Sequence, residues 1–176
     1  MFRPIYDKEI ENEAAKLLLA KKDVDCMTAE SLASVFLGRG EGFAPCTAQA
    51  CIEILDFYGI DLTGKNVVVI GRSPVVGKPL SMMLQNRNAT VTMCHTKTRE
   101  LAEIASKADI LMVAAGHAGV VNRNFVNDKQ VIIDVGINVV DGNLCGDCNF
   151  NDCEPLVAAI TPVPGGVGAV TTSVLA

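Results

Sequence analysis

From Lys65 onward, short apolar runs alternate with stretches of helical character. "NVVVIG", "TVTMC", "ADILMVAAG" and "QVIIDVG" are brief, rich in Val, Ile and Met, and almost free of internal charge. They predict strands. "KPLSMMLQNRN" and "TRELAEIASKA" carry polar residues at helical spacing and predict helices, the second capped by Thr98. Near-continuous apolar strands alternating with helices are what a parallel sheet covered on both faces requires. "NVVDGNL" places Asp141-Gly142 between apolar residues, which predicts a tight hairpin. "AITPVPGGVG" reads as a last short strand and a Pro/Gly loop, and "AVTTSVLA" opens a helix. The expected fold class is α/β: a Rossmann-type, doubly wound, mostly parallel sheet with helices on both faces. Ligands of such sheets sit at the carboxyl ends of the strands, here the loops after Ile70, Cys94, Ala115 and Val135.

The first part of the chain is different. Residues 7–22, "DKEIENEAAKLLLAKK", run from acidic to basic with good helix formers, an order that suits the helix dipole. A mixed segment ending in "GRGEGFAPCT" follows. "PCTAQACIEILDFYG" predicts a helix with Thr47 as cap, Ile52, Leu55 and Tyr58 at helical spacing, and Gly59 as its stop. The division falls at residues 1–45 and 46–176.

Composition narrows the class. A chain of 176 residues, 49% hydrophobic and 20% charged, is globular and can bury a full core. No apolar run is long enough to cross a bilayer, so no membrane role is expected. A net charge of −5, with no Lys/Arg block longer than two, argues against a nucleic-acid surface. The N-terminal residues lack the apolar core of a secretory signal, and the seven cysteines are an odd number. Reduced thiols in a cytoplasm are therefore expected. "CGDCNFNDC" groups Cys145, Cys148 and Cys153, but a metal site wants a fourth ligand and no second CxxC or CxxH exists. No metal is expected, and these read as chance cysteines near a surface hairpin.

"VVVIGRSPVVGKP" is the stretch with chemistry. A Walker A loop needs G-x-x-x-x-G-K-[ST]; here the loop is one residue longer and Pro79 replaces the metal-binding hydroxyl. A dinucleotide fingerprint needs G-x-G-x-x-G between a strand and a helix. Gly71 fits, Ser73 replaces the second glycine and Gly77 comes one position late. Ser73 can offer a hydroxyl and an N–H to a phosphate, and the following helix adds unpaired amides, with Pro79 suited to its first turn. The same residues also suit an ordinary strand-to-helix turn. The tip of the second strand decides which nucleotide is favoured. NAD sites place an acid there, whereas this tip reads His95, Thr96, Lys97, Thr98 and Arg99. Cations and hydroxyls favour a 2′-phosphate, hence NADP. Arg72, in the glycine loop, is the stronger cation candidate, since Lys97 and Arg99 also suit a solvated helix start.

"KDVD", "GFAPCTAQACIEIL", "VVVIGRSPVVGKP", "ATVTMCHTKT", "ADILMVAAG", "VIIDVGIN" and "ITPVPGGVGAVTTSVL" occur in one order. Together they resemble the bifunctional methylenetetrahydrofolate dehydrogenase/methenyltetrahydrofolate cyclohydrolase family across residues 22–176. The resemblance implies NADP-dependent oxidation of 5,10-methylenetetrahydrofolate to the methenyl form. Hydrolysis to 10-formyltetrahydrofolate would follow, in a cytoplasmic homodimer. By position it implies cofactor contacts from Gly71, Arg72, Ser73, Thr96 and Ile137. Asp25 would face the folate pterin, and Pro162, Val163, Pro164, Gly165 and Gly166 would lie beside folate and nicotinamide. Residues 1–45 would then be the tail of a smaller N-terminal α/β catalytic domain with its linking segment.

Three features depart from that family. Its Tyr-x-x-x-Lys pair is absent, because Ile10 follows Tyr6 and Leu62 follows Tyr58 at that spacing. No residue is therefore assigned as catalytic. The helical pattern is still running at Ala176, and Cys26 stands after "KDVD" where glycine is usual. The expectation is a fragment of a complete enzyme, with a non-catalytic NADP-binding module as the alternative. A dehydrogenase of another small substrate would need a proton-transfer residue. His95 and His117 are the only histidines, and neither has an evident orienting partner.

Overall fold

The computed structural model describes residues 6–40 and 42–176. Its centre is a five-stranded parallel sheet: β1 (Asn66–Ile70), β2 (Thr90–Cys94), β3 (Ile110–Val113), β4 (Val131–Asp134) and β7 (Ala159–Ile160), ordered β2-β1-β3-β4-β7. In the central register Val67 lies beside Val91 on one side and Ile110 on the other, and Ile110 beside Val131. The chain winds outward from β1 in both directions, so the topological switch point lies between β1 and β3.

Successive strand residues point to opposite faces, and both faces are covered. Val67, Val69, Ile110, Met112 and Ile133 pack under Ile52, Leu55, Leu80, Leu84 and Val167. Those residues come from α3 (Cys46–Phe57), α4 (Gly77–Asn86) and α7 (Val167–Leu175). Val68, Ile70, Leu111, Val113 and Ile132 pack the other way, against Ala105 of α5 (Leu101–Ser106) and against Val121, Cys148 and Cys153. This two-sided burial is why the strands are continuously apolar. β2 is an edge strand and correspondingly more exposed. β5 (Asn138–Val140) and β6 (Asn143–Cys145) form the expected hairpin. Asp141 and Gly142 both take positive φ, 51° and 78°, as a two-residue turn matched to strand twist requires.

Ahead of the sheet, α1 (Lys8–Leu17) is capped by Asp7, whose carboxylate accepts the N–H groups of Glu9 and Ile10. α2 (Ala29–Leu37) is capped by Thr28 and ends at Gly38. Asp23, buried between them, accepts the N–H groups of Met27 (2.8 Å) and Thr28 (2.7 Å). Burial acts to raise its pKa, but those amides and the hydroxyls of Ser31 and Thr28 outweigh it and hold the carboxyl below its ordinary value. A lowered folded pKa means the stabilisation is complete above the unfolded value and is lost as pH falls through the folded one. Asp23→Asn is expected to flatten the acid limb of the stability curve, read by urea denaturation between about pH 2 and 6. No described helix is long and apolar enough to cross a membrane.

Three local expectations are corrected. Thr47 does not cap α3; the cap position is Pro45, and the Asp25 carboxylate accepts the Cys46 N–H at 3.1 Å. Thr98 does not cap α5, which begins three residues later after Glu100 in a left-handed conformation (φ 54°). Its hydroxyl instead accepts the His95 N–H (2.9 Å) and closes a turn. Cys148 and Cys153 are not surface residues of the hairpin. They are 5% and 0% exposed in the second core layer, and Cys153 lies in α6 (Phe150–Cys153). Cys26 holds φ 53°, in the left-handed region that favours glycine.

Candidate functional site

The loop after β1 begins with Gly71 at φ 132°. A Cβ there would lie 2.1 Å from the Ala114 carbonyl oxygen, so the loops after β1 and β3 touch backbone to backbone. A Cβ on Gly77, the first residue of α4, would lie 2.1 Å from the Gly71 carbonyl oxygen. Both glycines are therefore required by close approach, which gives the lengthened loop the compactness of the shorter fingerprint. The Ser73 hydroxyl oxygen accepts the N–H groups of Val76 (3.0 Å) and Gly77 (3.4 Å), and its carbonyl accepts that of Lys78 (3.0 Å). Ser73 is thus first a brace for the start of α4. Ser73→Ala is expected to cost about 1 kcal/mol in urea denaturation, the usual size of a lost helix-start acceptor. The N–H groups of Arg72, Ser73 and Val75 have no partner among the described residues, and they stand where α4 presents its positive dipole end.

The Gly71 N–H donates to the Cys94 carbonyl (2.9 Å), which sets this loop beside the tip of β2. Arg72, Thr96, Lys97 and Arg99 are all exposed there. The Nδ1 of His95 accepts the Lys97 N–H (3.1 Å), so the imidazole serves its own turn.

The other end of the site lies beyond β4 and β7. Ile137, 66% exposed, and residues 162–166 line one depression of about 150 Å³, together with Asp134 and Leu144. The sheet order does this by placing β4 next to β7. The 162–166 segment is closed tightly, with a cis Val163–Pro164 peptide, Gly165 at φ 96°, and a Gly166 whose Cβ would meet the Pro162 carbonyl at 2.4 Å. A larger groove of about 990 Å³ continues from Pro162, Gly165 and Gly166 along β7 towards Phe57, Tyr58 and Phe150. Asp25 lies in neither depression, being engaged at the start of α3.

Asp134, at the end of β4, is the one titratable residue lining the smaller depression among the described residues. Its carboxylate accepts the N–H groups of Gly136 (3.0 Å), Asp147 (3.0 Å) and Cys148 (2.9 Å). Burial, aided by the nearby Asp147 charge, raises its pKa against the pull of those amides. Burial and the neighbouring Asp134 likewise push the Cys148 thiol up, and burial takes Cys51 to about 12, so neither is a poised nucleophile. Such a depression can orient a flat ring but offers no evident proton relay. Among the described residues no group of three or more His, Cys, Asp or Glu side chains could hold a metal ion. Sequence reasoning overlooked Asp134 and Asp147; the signal was a lone acid ending an apolar strand and a Gly-Asp pair inside "CGDC".

Residues 45–176 match the family described as tetrahydrofolate dehydrogenase/cyclohydrolase, NAD(P)-binding domain. The whole chain is 52% identical to the bifunctional protein FolD of Dictyoglomus turgidum, of whose length it covers 62%. Among solved structures, the bifunctional FolD of Campylobacter jejuni is 38% identical with a TM-score of 0.90, covering 93% of this chain and 58% of that one. The Trypanosoma brucei FolD, solved with NADP cofactor and an inhibitor, is 36% identical with a TM-score of 0.85, covering 93% and 58%. The chain thus spans about three-fifths of the length of these relatives. On this match and on the parallel sheet with its glycine loop, the chain belongs to the tetrahydrofolate dehydrogenase/cyclohydrolase family.

Proposed function

We propose that residues 46–176 bind NADP and form the dehydrogenase half of an enzyme that oxidises 5,10-methylenetetrahydrofolate to the methenyl form. Residues 1–45 are then the tail of a folate-binding catalytic domain and its link. The observation that carries the reading is the 71–77 loop. It has two glycines that admit no Cβ, three amides just ahead of α4 with no partner among the described residues, and an exposed arginine beside a strand tip whose first five residues, 95–99, include no acid. The amides and the Ser73 hydroxyl hydrogen hold the phosphates. Arg72 meets the 2′-phosphate, and Thr96 and Ile137 contact the cofactor further along. When bound, the nicotinamide accepts a hydride from a carbon flanked by two nitrogens, so no strong base is needed. The rigid 162–166 turn holds folate and nicotinamide against one another and keeps water from their contact, and Asp25 faces the pterin. The complete enzyme is read as a cytoplasmic homodimer. The outer side of β7, an edge of the sheet among the described residues, and the apolar groove beside it support self-association.

Arg72→Ala is expected to weaken NADP about tenfold and NAD less than about twofold, by calorimetric titration. Equal losses for the two would overturn the 2′-phosphate assignment. The missing Tyr-x-x-x-Lys pair favours a second reading, a module that binds NADP without catalysis. Either way the 176-residue polypeptide is expected to show no hydrolysis of the methenyl form above the uncatalysed rate, followed by loss of its absorbance. A robust rate would contradict this. Binding of a folate analogue in the presence of NADP separates the dehydrogenase from the module.

A further inference from the structure

Two carboxylates that the dehydrogenase reading leaves idle are buried between the loops after β3 and β4. Asp147 is 0% exposed and Asp134 3%. Asp147 Oδ2 accepts the Gly116 N–H at 2.7 Å, in the loop after β3. Its Oδ1 accepts from the Asn138 side-chain amide at 2.8 Å, at the head of the hairpin after β4. One side chain therefore ties the two loops together. Asp134 fixes Asp147 in turn, through the backbone amides of Asp147 and Cys148. The fit admits nothing larger: a Cβ on Gly136 would lie 2.2 Å from Asp147 Oδ1, and one on Gly146 2.0 Å from Asp134 Oδ2.

Neither acid has a cationic partner among the described residues. Buried carboxyl groups held only by neutral donors are a costly way to hold a hairpin, which apolar packing does more cheaply. What the arrangement secures is position. Gly116 follows the Ala114 carbonyl that abuts Gly71 at the phosphate loop. Asn138 follows Ile137, whose side chain lines the depression shared with residues 162–166. A continuous line of close backbone contacts and hydrogen bonds thus runs from the phosphate loop to that depression.

We propose that Asp147 is a positioning residue for the dinucleotide: it holds the loop after β3 and the turn carrying Ile137 at the separation that the nicotinamide half requires. The proposal rests on the dinucleotide reading above. Asp147→Asn keeps the shape but turns an NH₂ towards one of the two donors. Asn138→Ala removes one donor from a half-buried position, and decides the matter if the first variant does not fold. Ile133→Val, in the core of β4, is the control for a merely weakened fold.

The probes are NADP and adenosine 2′,5′-bisphosphate, which lacks the nicotinamide half, titrated calorimetrically into folded protein. Asp147→Asn is expected to raise the NADP Kd about tenfold and that of the bisphosphate less than about twofold. Asn138→Ala should show the same pattern at about threefold, and Ile133→Val neither change. Equal losses for both probes, unchanged NADP binding, or a like loss in Ile133→Val would overturn the proposal. If the unaltered chain binds the bisphosphate and gains nothing from the rest of NADP, the proposal falls while the phosphate loop stands. If it binds neither probe, the dinucleotide reading falls and the proposal with it.

Discussion

Gly71→Ala is expected to destabilise the domain by about 3 kcal/mol and to abolish dinucleotide binding. At φ 132° an L-residue is strained before any contact is considered. The added methyl would then stand 2.1 Å from the Ala114 carbonyl oxygen, a backbone atom that can yield only if its loop shifts. The Ala114 N–H donates to Ile70 (2.8 Å), so the start of its loop is tied to β1 itself. Relief requires β1 and β3 to part at their carboxyl ends, where both are fully buried. The same shift would move the amides of Arg72 and Ser73. Urea denaturation and an NADP titration on one preparation read both effects. A stability change under about 0.5 kcal/mol, the size of an ordinary surface substitution, would show that the two loops do not meet as described.

Asp134→Ala is expected to cost about 3 kcal/mol, because it strips the acceptor from three buried N–H groups. Losing a desolvated charge offsets part of this. Asp134→Asn is the informative partner. It keeps one acceptor oxygen, should cost about 1 kcal/mol, and removes the ionisation. Because burial raises the folded pKa of Asp134 above the unfolded one, its favourable contribution is full below the unfolded value. That contribution is lost as pH rises through the folded value. Asp134→Asn should therefore remove a fall in stability across that interval, measured by denaturation at a series of pH values. An unchanged pH profile would mean that the carboxyl does not titrate there.

The sheet was legible because each central strand is buried on both faces, which leaves a run such as Val67 to Ile70 nowhere to be polar. The glycine loop was legible for the same kind of reason, since close approach allows no side chain at Gly71 or Gly77. Caps were read less well. Thr47 and Thr98 are local preferences, and each lost to a competing contact: Asp25 reaching the Cys46 N–H across 21 residues, and a turn back to His95. The Asp134–Asp147 pair was invisible for a related reason. Its partners lie 13 and 31 residues apart in the chain and meet only once β3 and β4 are side by side. The same strand order gathers Ile137 and residues 162–166 around one depression, while Asp25 stays at the start of α3.

The most direct test of the central claim is a parallel titration of the purified 176-residue chain with NADP and NAD at one ionic strength. With cations and hydroxyls at the tip of β2, NADP is expected to bind about tenfold more tightly than NAD, and the gap should narrow with added salt. Equal affinities, a preference for NAD, or no binding of either would contradict it.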